Sequence, residues 1–388
     1  MPNKTLRNKI ESIMTGPGKA PAVSLAACLH WLSRGYGIFQ KLRSACYRRR
    51  LIAPRKLACR VISIGNITIG GTGKTPLTIF VAERLRQLGY RVAVVSRGYK
   101  GTAGRTATII SDGQNVYLGP EQAGDEPYLL ACRLRGIPVM VGSNRCAVGR
   151  MAMDRFQPAA IVLDDGFQHM QLARDLDLVL LDYHRPFGNQ HLLPRGTLRE
   201  PQSALKRSDA IVLTRCPVTP GRCPDAPGSL PHPFNQALEG ASPQSPVFMT
   251  SHLPVLYRVP RDTRVLPDEL DSRIIPDQHE IINQGPVAAF SGIARNDDFR
   301  QTLDTLGFNI AHFAQFADHH WYSDSELAAI EQAAGQSSAQ CFVTTEKDFV
   351  RFAHRKTWPL EMIVFGVRVS FGEDEKRFEE FLKIRLGR

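Results

Sequence analysis

The feature that most constrains this chain is GNITIGGTGKTP, residues 65–76, set between the apolar run RVISIGN and TPLTIFVAERLRQLG, whose apolar residues recur at helical spacing. A strand that enters a glycine-rich turn and leaves as a helix brings successive backbone N–H groups and a helix N-terminus to one point, which suits a phosphate group. Gly70, Gly71 and Gly73 permit that close approach, Lys74 is long enough to reach terminal phosphates, and Thr75 supplies a hydroxyl for magnesium. The candidate nucleotide-binding residues are therefore Thr68, Ile69, Gly70, Gly71, Thr72, Gly73, Lys74 and Thr75. The strict phosphate-loop pattern has glycine where this chain has Thr68, so the match is to a variant of the loop. A purely structural glycine-rich turn is the competing reading, while the GxGxxG of a dinucleotide fold is absent.

The alternation continues past the loop. YRVAVVSRG, PVMVG (138–142), AAIVLDD (159–165), LDLVLLD (176–182) and DAIVLTR (209–215) are continuous Val/Ile/Leu runs, the mark of parallel strands buried on both faces. With 388 residues, 43% of them hydrophobic, the chain has material for two ordinary cores. Eight prolines between 217 and 246 leave no compact helix there and mark a loose connection. Beyond about residue 260, PVAAFSG and AQCFVTTEKD read as strands and NDDFRQTLDTLG and SDSELAAIEQAA as helices. The expected fold is α/β: a P-loop NTPase-like parallel sheet with helices on both faces, an N-terminal amphipathic membrane-associated helix, and a second, smaller α/β domain. The expected boundaries are 1–58 for the arm, 59–262 for the P-loop domain with its proline-rich connection 217–246, and 263–388 for the smaller domain.

The formal charge of +12 is not spread evenly: residues 1–60 hold 13 basic residues against one acid, Glu11, and the rest of the chain is balanced. A neutral body with a cationic arm points to an anionic partner, either a membrane surface or nucleic acid. Leu25, Leu29, Leu32, Tyr36, Phe39, Leu42 and Cys46 recur at steps of three and four, with Arg34, Lys41, Arg43 and Arg48 off that stripe. That pattern, with Trp31 at the headgroup level and Arg48, Arg49 and Arg50 near lipid phosphates, favours an anionic membrane surface over nucleic acid. Packing of the stripe on the protein's own body is the plainer alternative. No run approaches the roughly 18 to 20 apolar residues of a spanning helix, and AVSLAACLHWL lacks the flanks of a cleaved signal. The eight cysteines form no CxxC pair and no metal-like group with His, so they read as reduced thiols.

Several polar clusters stand at strand ends or helix starts. LDDGFQH (163–169) puts Asp164 and Asp165 at the end of a buried strand, where a carboxylate can hold Mg²⁺ beside a phosphate loop. Adjacent residues on a strand point opposite ways, so capping the following turn is the alternative role for one of the two. GDEP offers Asp125 either as a helix N-cap or as a catalytic acid. Arg97 in SRGYKG and Arg195 and Arg199 in PRGTLREP are candidate anion contacts, with a satisfied structural arginine as the alternative. DHHWYSD places His319 beside Asp318 and His320, as a proton handler or as part of an aromatic corner. TTEKD (344–348) lacks the order of a guanine-reading NKxD.

Taken in order, GNITIGGTGKTP, SRGYKG, GDEP, NRCAVG, LDDGFQH, PRGTLREP, FSGIARNDDF, DHHWYSD and TTEKD resemble the tetraacyldisaccharide 4′-kinase family of lipid A biosynthesis, from about residue 20 to the C-terminus. The resemblance implies an ATP- and Mg²⁺-dependent lipid kinase that transfers the γ-phosphate to the 4′-hydroxyl of a tetraacyldisaccharide 1-phosphate, a phosphorylated glycolipid. It further implies a monotopic protein on the cytoplasmic face of the bacterial inner membrane, with no nucleic-acid partner and no obligate protein partner. By the same resemblance Lys74 and Thr75 match phosphate and magnesium ligands, Asp164 and Asp165 metal-side acids, Asp125 the catalytic base and His319 its supporting partner. One departure is the run Ala294, Arg295, Asn296, where members more often carry Gly-Asn-Pro. A P-loop GTPase would share the sheet but needs a base-reading motif, and a membrane protein using ATP only as a conformational ligand would share the arm and the loop.

Overall fold

The computed structural model describes residues 9–10, 12–14, 16, 24–217, 245–276 and 285–387. Most of the proline-rich connection and the start of the arm lie outside the described residues. In chain order the main elements are α1 (Leu25–Arg48), β1 (Arg60–Asn66), α2 (Lys74–Gln87), β2 (Val92–Ser96), β3 (Thr108–Ser111), α3 (Asp125–Arg133), β4 (Val139–Val141), α4 (Arg145–Phe156), β5 (Ala160–Asp164), β6 (Leu176–Asp182), β7 (Ala210–Thr214), β8 (Val247–Met249), β9 (Ser251–Val259), β10 (Val287–Ser291), α5 (Asn296–Thr305), β11 (Ile310–Gln315), α6 (Asp324–Gln336), β12 (Cys341–Thr345), α7 (Glu346–Phe352), β13 (Glu361–Ser370) and α8 (Glu375–Leu386).

The chain forms two compact units that interleave in sequence: residues 1–78, 159–252 and 369–388 make one, and 79–158 with 253–368 the other. In the first, β5, β1, β6, β7 and β8 pair in that order, all parallel. Every residue of β5, β6 and β7 is buried, which is why these strands read as unbroken apolar runs rather than alternating ones. Ile67, Phe167, Val179, Leu181, Ile211 and Leu213 form part of this unit's core. In the second unit β4 pairs parallel with β2 and antiparallel with β3. A separate five-stranded sheet runs β11-β10-β12-β13-β9. Phe290, Phe342, Phe352 and Trp358 interlock beside it, with Phe290 stacked on Trp358 at 5.8 Å.

The units differ from the sequence segments. Residues 79–158, which follow the phosphate loop in the same strand and helix rhythm, cluster with 253–368, and the tail 369–388 clusters with the loop. The tail does so through aromatic packing: Phe378 stacks on Phe371 at 4.2 Å and meets Phe248 edge-on at 5.1 Å. Polar ties add to it, with Met249 N donating to Asp374 at 3.3 Å and Arg385 paired with Asp209 at 2.7 Å.

α1 starts at Ser24, whose hydroxyl accepts from Ala27 N. Its inward residues are Leu29, Ser33, Gly37 and Gln40, so apart from Leu29 the seam is small or polar. Gly37 lets the helix come close to Leu192: a Cβ there would lie 2.8 Å from Leu192 Cδ1, and that side chain would have to shift. Ser33 donates to Leu192 O at 2.8 Å and accepts from Arg195 N at 2.9 Å, and Tyr36 donates to Arg199 O at 2.8 Å. Trp31, Leu32, Ile38, Phe39 and Leu42 all face outward, each more than half exposed. Of the expected apolar stripe Leu29 enters the packed seam, whereas Leu32, Phe39 and Leu42 flank it. Among the described residues no helix is long and apolar enough to cross a membrane.

Candidate functional site

In the first unit the phosphate loop runs from the end of β1 to the start of α2. Asn66, the last residue of β1, donates from Nδ2 to Thr72 Oγ1 at 2.8 Å. From β7 and the residue after it, Thr214 donates to Thr72 O at 3.0 Å and Arg215 to Gly71 O at 2.7 Å, while Arg215 also pairs with Asp182 at 3.1 Å. Ile69 N donates to Thr197 O at 2.8 Å. The loop's shape is thus fixed by its own protein, so ordering it is not part of the cost of binding. Lys74 opens α2, with Nζ 3.5 Å from Asn66 Oδ1 and 3.7 Å from Asp165 Oδ1.

β5 runs beside β1 with Asp164 opposite Ile64, which brings the Asp-Asp pair to the sheet edge where the loop begins. Asp164 is buried and accepts from Thr78 Oγ1 at 3.2 Å. Asp165 has left strand geometry, with φ 52°, a left-handed conformation that Asp tolerates better than most residues. Both its oxygens lie 2.8 Å from Arg199 Nη1. The two acids thus have different settings, because the strand ends at Asp164 and the backbone turns at Asp165.

This donor set suits magnesium. A hard cation on a nucleotide takes one or two carboxylates, a hydroxyl, phosphate oxygens and water, all of them oxygen ligands. Asp164, Asp165 and Thr75 are the residues that could supply the protein's share. Among the described residues there is no cluster of three or more His, Cys, Asp or Glu fit to cage a metal unaided, and a nucleotide-borne ion needs none.

The three candidate arginines separate by environment. Arg97 is exposed at the end of β2, whereas Arg195 is buried and donates to Ile13 O at 2.6 Å, and Arg199 is bound to Asp165. Sequence reading missed Gln168, which donates from Nε2 to Asn66 O at 2.8 Å and whose own carbonyl accepts from Arg43 at 2.7 Å.

The second unit holds Asp125 and His319. Asp125 is the first residue of α3, and the cap position belongs to Gly124, so Asp125 is not the N-cap. Gly124 has φ 89°, and a Cβ there would lie 2.6 Å from Tyr99 O, so both its backbone and its neighbours exclude other residues. Asp125 is 5% exposed. His319 Nδ1 lies 2.6 Å from Asp125 Oδ2, and the same oxygen accepts from Arg351 Nε at 3.0 Å and Nη2 at 2.6 Å. Burial alone would push the Asp125 carboxyl up. The His319 hydrogen bond and the Arg351 charge outweigh burial and hold it well below the usual carboxylate range. Tyr99 of SRGYKG meets the His319 ring edge-on at 5.9 Å.

TTEKD turns out to be the foundation of this cluster. Thr345 caps α7, Lys347 reaches Glu126 at 2.5 Å, and the buried Asp348 accepts from Gly292 N, Tyr322 Oη and Arg351 Nη1. Arg351 was not singled out from the sequence; its one signal was an Arg three residues after an Asp on a helix. At the departure after β10, Asn296 holds the turn by accepting from Ser291 Oγ at 2.7 Å and Ile293 N at 3.2 Å.

Residues 25–387 match the family model for tetraacyldisaccharide-1-P 4′-kinase. The chain is 38% identical to a tetraacyldisaccharide 4′-kinase of Syntrophus aciditrophicus, over 97% of this chain and 98% of that protein. It is 42% identical to another from Anaeromyxobacter sp. strain Fw109-5, over 98% of this chain and 97% of that one. The crystal structure of LpxK from Aquifex aeolicus in complex with ATP is similar with a TM-score of 0.70 and 28% identity, covering 94% of this chain and all of that one.

Proposed function

The chain belongs to the tetraacyldisaccharide-1-P 4′-kinase family, and from that premise we propose how its residues divide the work. The enzyme is a phosphotransferase with an alcohol acceptor: it moves the γ-phosphoryl group of ATP to the 4′-hydroxyl of tetraacyldisaccharide 1-phosphate.

The observation that carries the residue assignment is the pinned loop of residues 68–75 with Lys74 at the helix start. Its backbone and Lys74 would hold the β- and γ-phosphates, where fixed donors in a preorganised site stabilise developing charge. Thr75, Asp164 and Asp165 would hold Mg²⁺. When bound, that ion supplies neutralisation of the phosphate oxygens. Arg97, being exposed, is the arginine disposed to meet a phosphate of the lipid.

Asp125 would hold the 4′-hydroxyl and take its proton as the new oxygen–phosphorus bond forms and the bond to the ADP oxygen breaks. A carboxylate well below the usual range is a weak base. In a loose phosphoryl-transfer transition state the nucleophile keeps its proton until late, so aim counts for more than basicity. His319 supports the carboxylate from Nδ1. α1, apolar outward and flanked by Arg48, Arg49 and Arg50, would lie on an anionic membrane surface, on the cytoplasmic face of the inner membrane where ATP is available.

The test is transfer of label from γ-radiolabelled ATP to tetraacyldisaccharide 1-phosphate in detergent micelles, with Lys74→Ala as control. Labelled lipid that disappears in the variant supports the assignment. Undiminished labelling by the variant removes Lys74 from it.

A further inference from the structure

Asp125 Oδ2 receives three donors, His319 Nδ1, Arg351 Nε and Arg351 Nη2, whereas Oδ1 receives the backbone N–H of Glu126 at 2.9 Å. A carboxylate oxygen offers about two lone-pair directions, so Oδ2 is saturated and Oδ1 keeps one direction open. Arg351 is in turn immobilised: its side chain is fully buried, and Nη1 donates to Asp348 Oδ1 at 2.8 Å and Gly292 O at 3.0 Å. Asp348 is held by Gly292 N at 3.0 Å, Tyr322 Oη at 2.8 Å and Thr345 Oγ1 at 2.6 Å. One chain of bonds therefore runs from the cap of α7, through Asp348 and Arg351, to a single oxygen of Asp125.

We propose that Arg351, anchored by Asp348, is the positioning residue that turns the Asp125 carboxylate so that Oδ1, and not Oδ2, is presented to the acceptor hydroxyl. The inference rests on Asp125 being the proton acceptor. Loss of the guanidinium frees the carboxylate to rotate and removes a cation in contact with it. Turnover should therefore fall while nucleotide affinity holds, and the acid limb of the rate profile should rise in pH. The charged and titratable groups around Asp125 are His319 and Asp318 on the segment after β11, Lys347, Asp348 and Arg351 on α7, and Glu126 on its own helix. Of these, Arg351 is the cation in direct contact that changes in the test.

The experiment uses the full chain in micelles with ATP and the disaccharide 1-phosphate. It compares the wild type with Arg351→Lys, Arg351→Met and Asp125→Asn across pH, alongside thermal melting. The expected result for Arg351→Met is a kcat about 10²-fold lower at unchanged KM for ATP. Its acid limb should lie higher than wild type by a pH unit or more, with partial return of rate on adding guanidinium ion. Arg351→Lys keeps the charge but not the fork, and should lose kcat with a smaller pH displacement. A merely structural role would lower the melting temperature and leave the profile of the surviving enzyme unmoved. If Arg351→Met does not fold, Arg351→Lys decides by the same readouts. Wild-type kcat and acid limb in a folded Arg351 variant, with Asp125→Asn inactive, overturns the positioning role and leaves the acceptor role standing. An active Asp125→Asn overturns the acceptor role itself.

Discussion

His319 Nδ1 lies 2.6 Å from Asp125 Oδ2, a contact between residues 194 positions apart in the chain. His319 holds that place with a left-handed backbone, φ 57°, and its own N–H on Gly292 O at 3.1 Å. Non-glycine residues in that region are uncommon and concentrate where function over-determines the backbone. We predict that Asp125→Asn lowers kcat by about 10² to 10⁴-fold, the usual worth of a positioned proton acceptor, with KM for ATP little changed. His319→Ala, which leaves the carboxylate in the grip of Arg351, should cost roughly 10-fold. A larger loss at His319 than at Asp125 would reverse the roles, making His319 Nε2 the acceptor and Asp125 the group that orients it.

The pH dependence of stability should carry the same signature. Asp125 in the folded protein lies below its ordinary value of 3.8. The ionised form is therefore favoured by folding, and its contribution is fully present above pH 3.8 and is lost as the pH falls further. Asp125→Asn should destabilise by about 3 to 5 kcal/mol near neutral pH, because Arg351 loses a buried partner. Urea unfolding of the two proteins should give a difference that is flat from pH 8 to about pH 5 and shrinks only in stronger acid. A difference that is already shrinking at pH 6 would mean that the carboxylate is not held as described.

Lys74→Ala should separate chemistry from folding. The Lys74 contacts with Asn66 and Asp165 are long, 3.5 and 3.7 Å, so stability should change by no more than about 0.5 kcal/mol. Loss of a cation aimed at the terminal phosphates should cost about 10² to 10³-fold in kcat/KM. Parallel measurements of label transfer and thermal melting check both halves.

How much of this was visible in the residues alone depends on the distance over which each signal acts. Four parallel strands of the first unit, β1, β5, β6 and β7, were, because full burial writes continuous apolar runs such as LDLVLLD; β8, three residues long and only partly buried, was not. β11, IAHFAQ, was not, since it lies at a sheet edge, is half-buried and carries His312 and Gln315. Lys74 and the Asp164-Asp165 pair announce themselves by local spacing around a strand end. Arg351 does not, because its role depends on Asp125, 226 residues away, and no periodicity records a contact of that length. TTEKD was conspicuous as a string but not as chemistry: its Asp348 acts through an arginine on the same helix. The partition into units was hidden for a similar reason, since Phe371 and Phe378 find Phe248 across more than a hundred residues of chain.

The arm is where periodicity and packing disagree, and the disagreement is testable. Leu29, Ser33, Gly37 and Gln40 face inward, while Leu32, Phe39 and Leu42 are 56%, 59% and 62% exposed. A helix that docks by hydrogen bonds to Leu192 and Arg199 and turns leucine and phenylalanine outward gains nothing from water on that side. Replacing Leu32, Phe39 and Leu42 together with Asp removes apolar surface worth on the order of 1 to 2 kcal/mol per side chain, and adds negative charge against an anionic surface. Binding to vesicles containing anionic lipid should weaken by about 10²- to 10⁴-fold, with melting temperature and ATP affinity unchanged, because none of the three residues is in the packed seam. The complementary variant Tyr36→Phe removes the hydroxyl that holds Arg199 O and leaves the outward face intact. It should bind vesicles as the wild type does while turnover falls a few-fold, since Arg199 carries Asp165 beside the loop. Vesicle binding lost in the Tyr36 variant and kept in the triple variant would place the membrane contact on the opposite side of the helix.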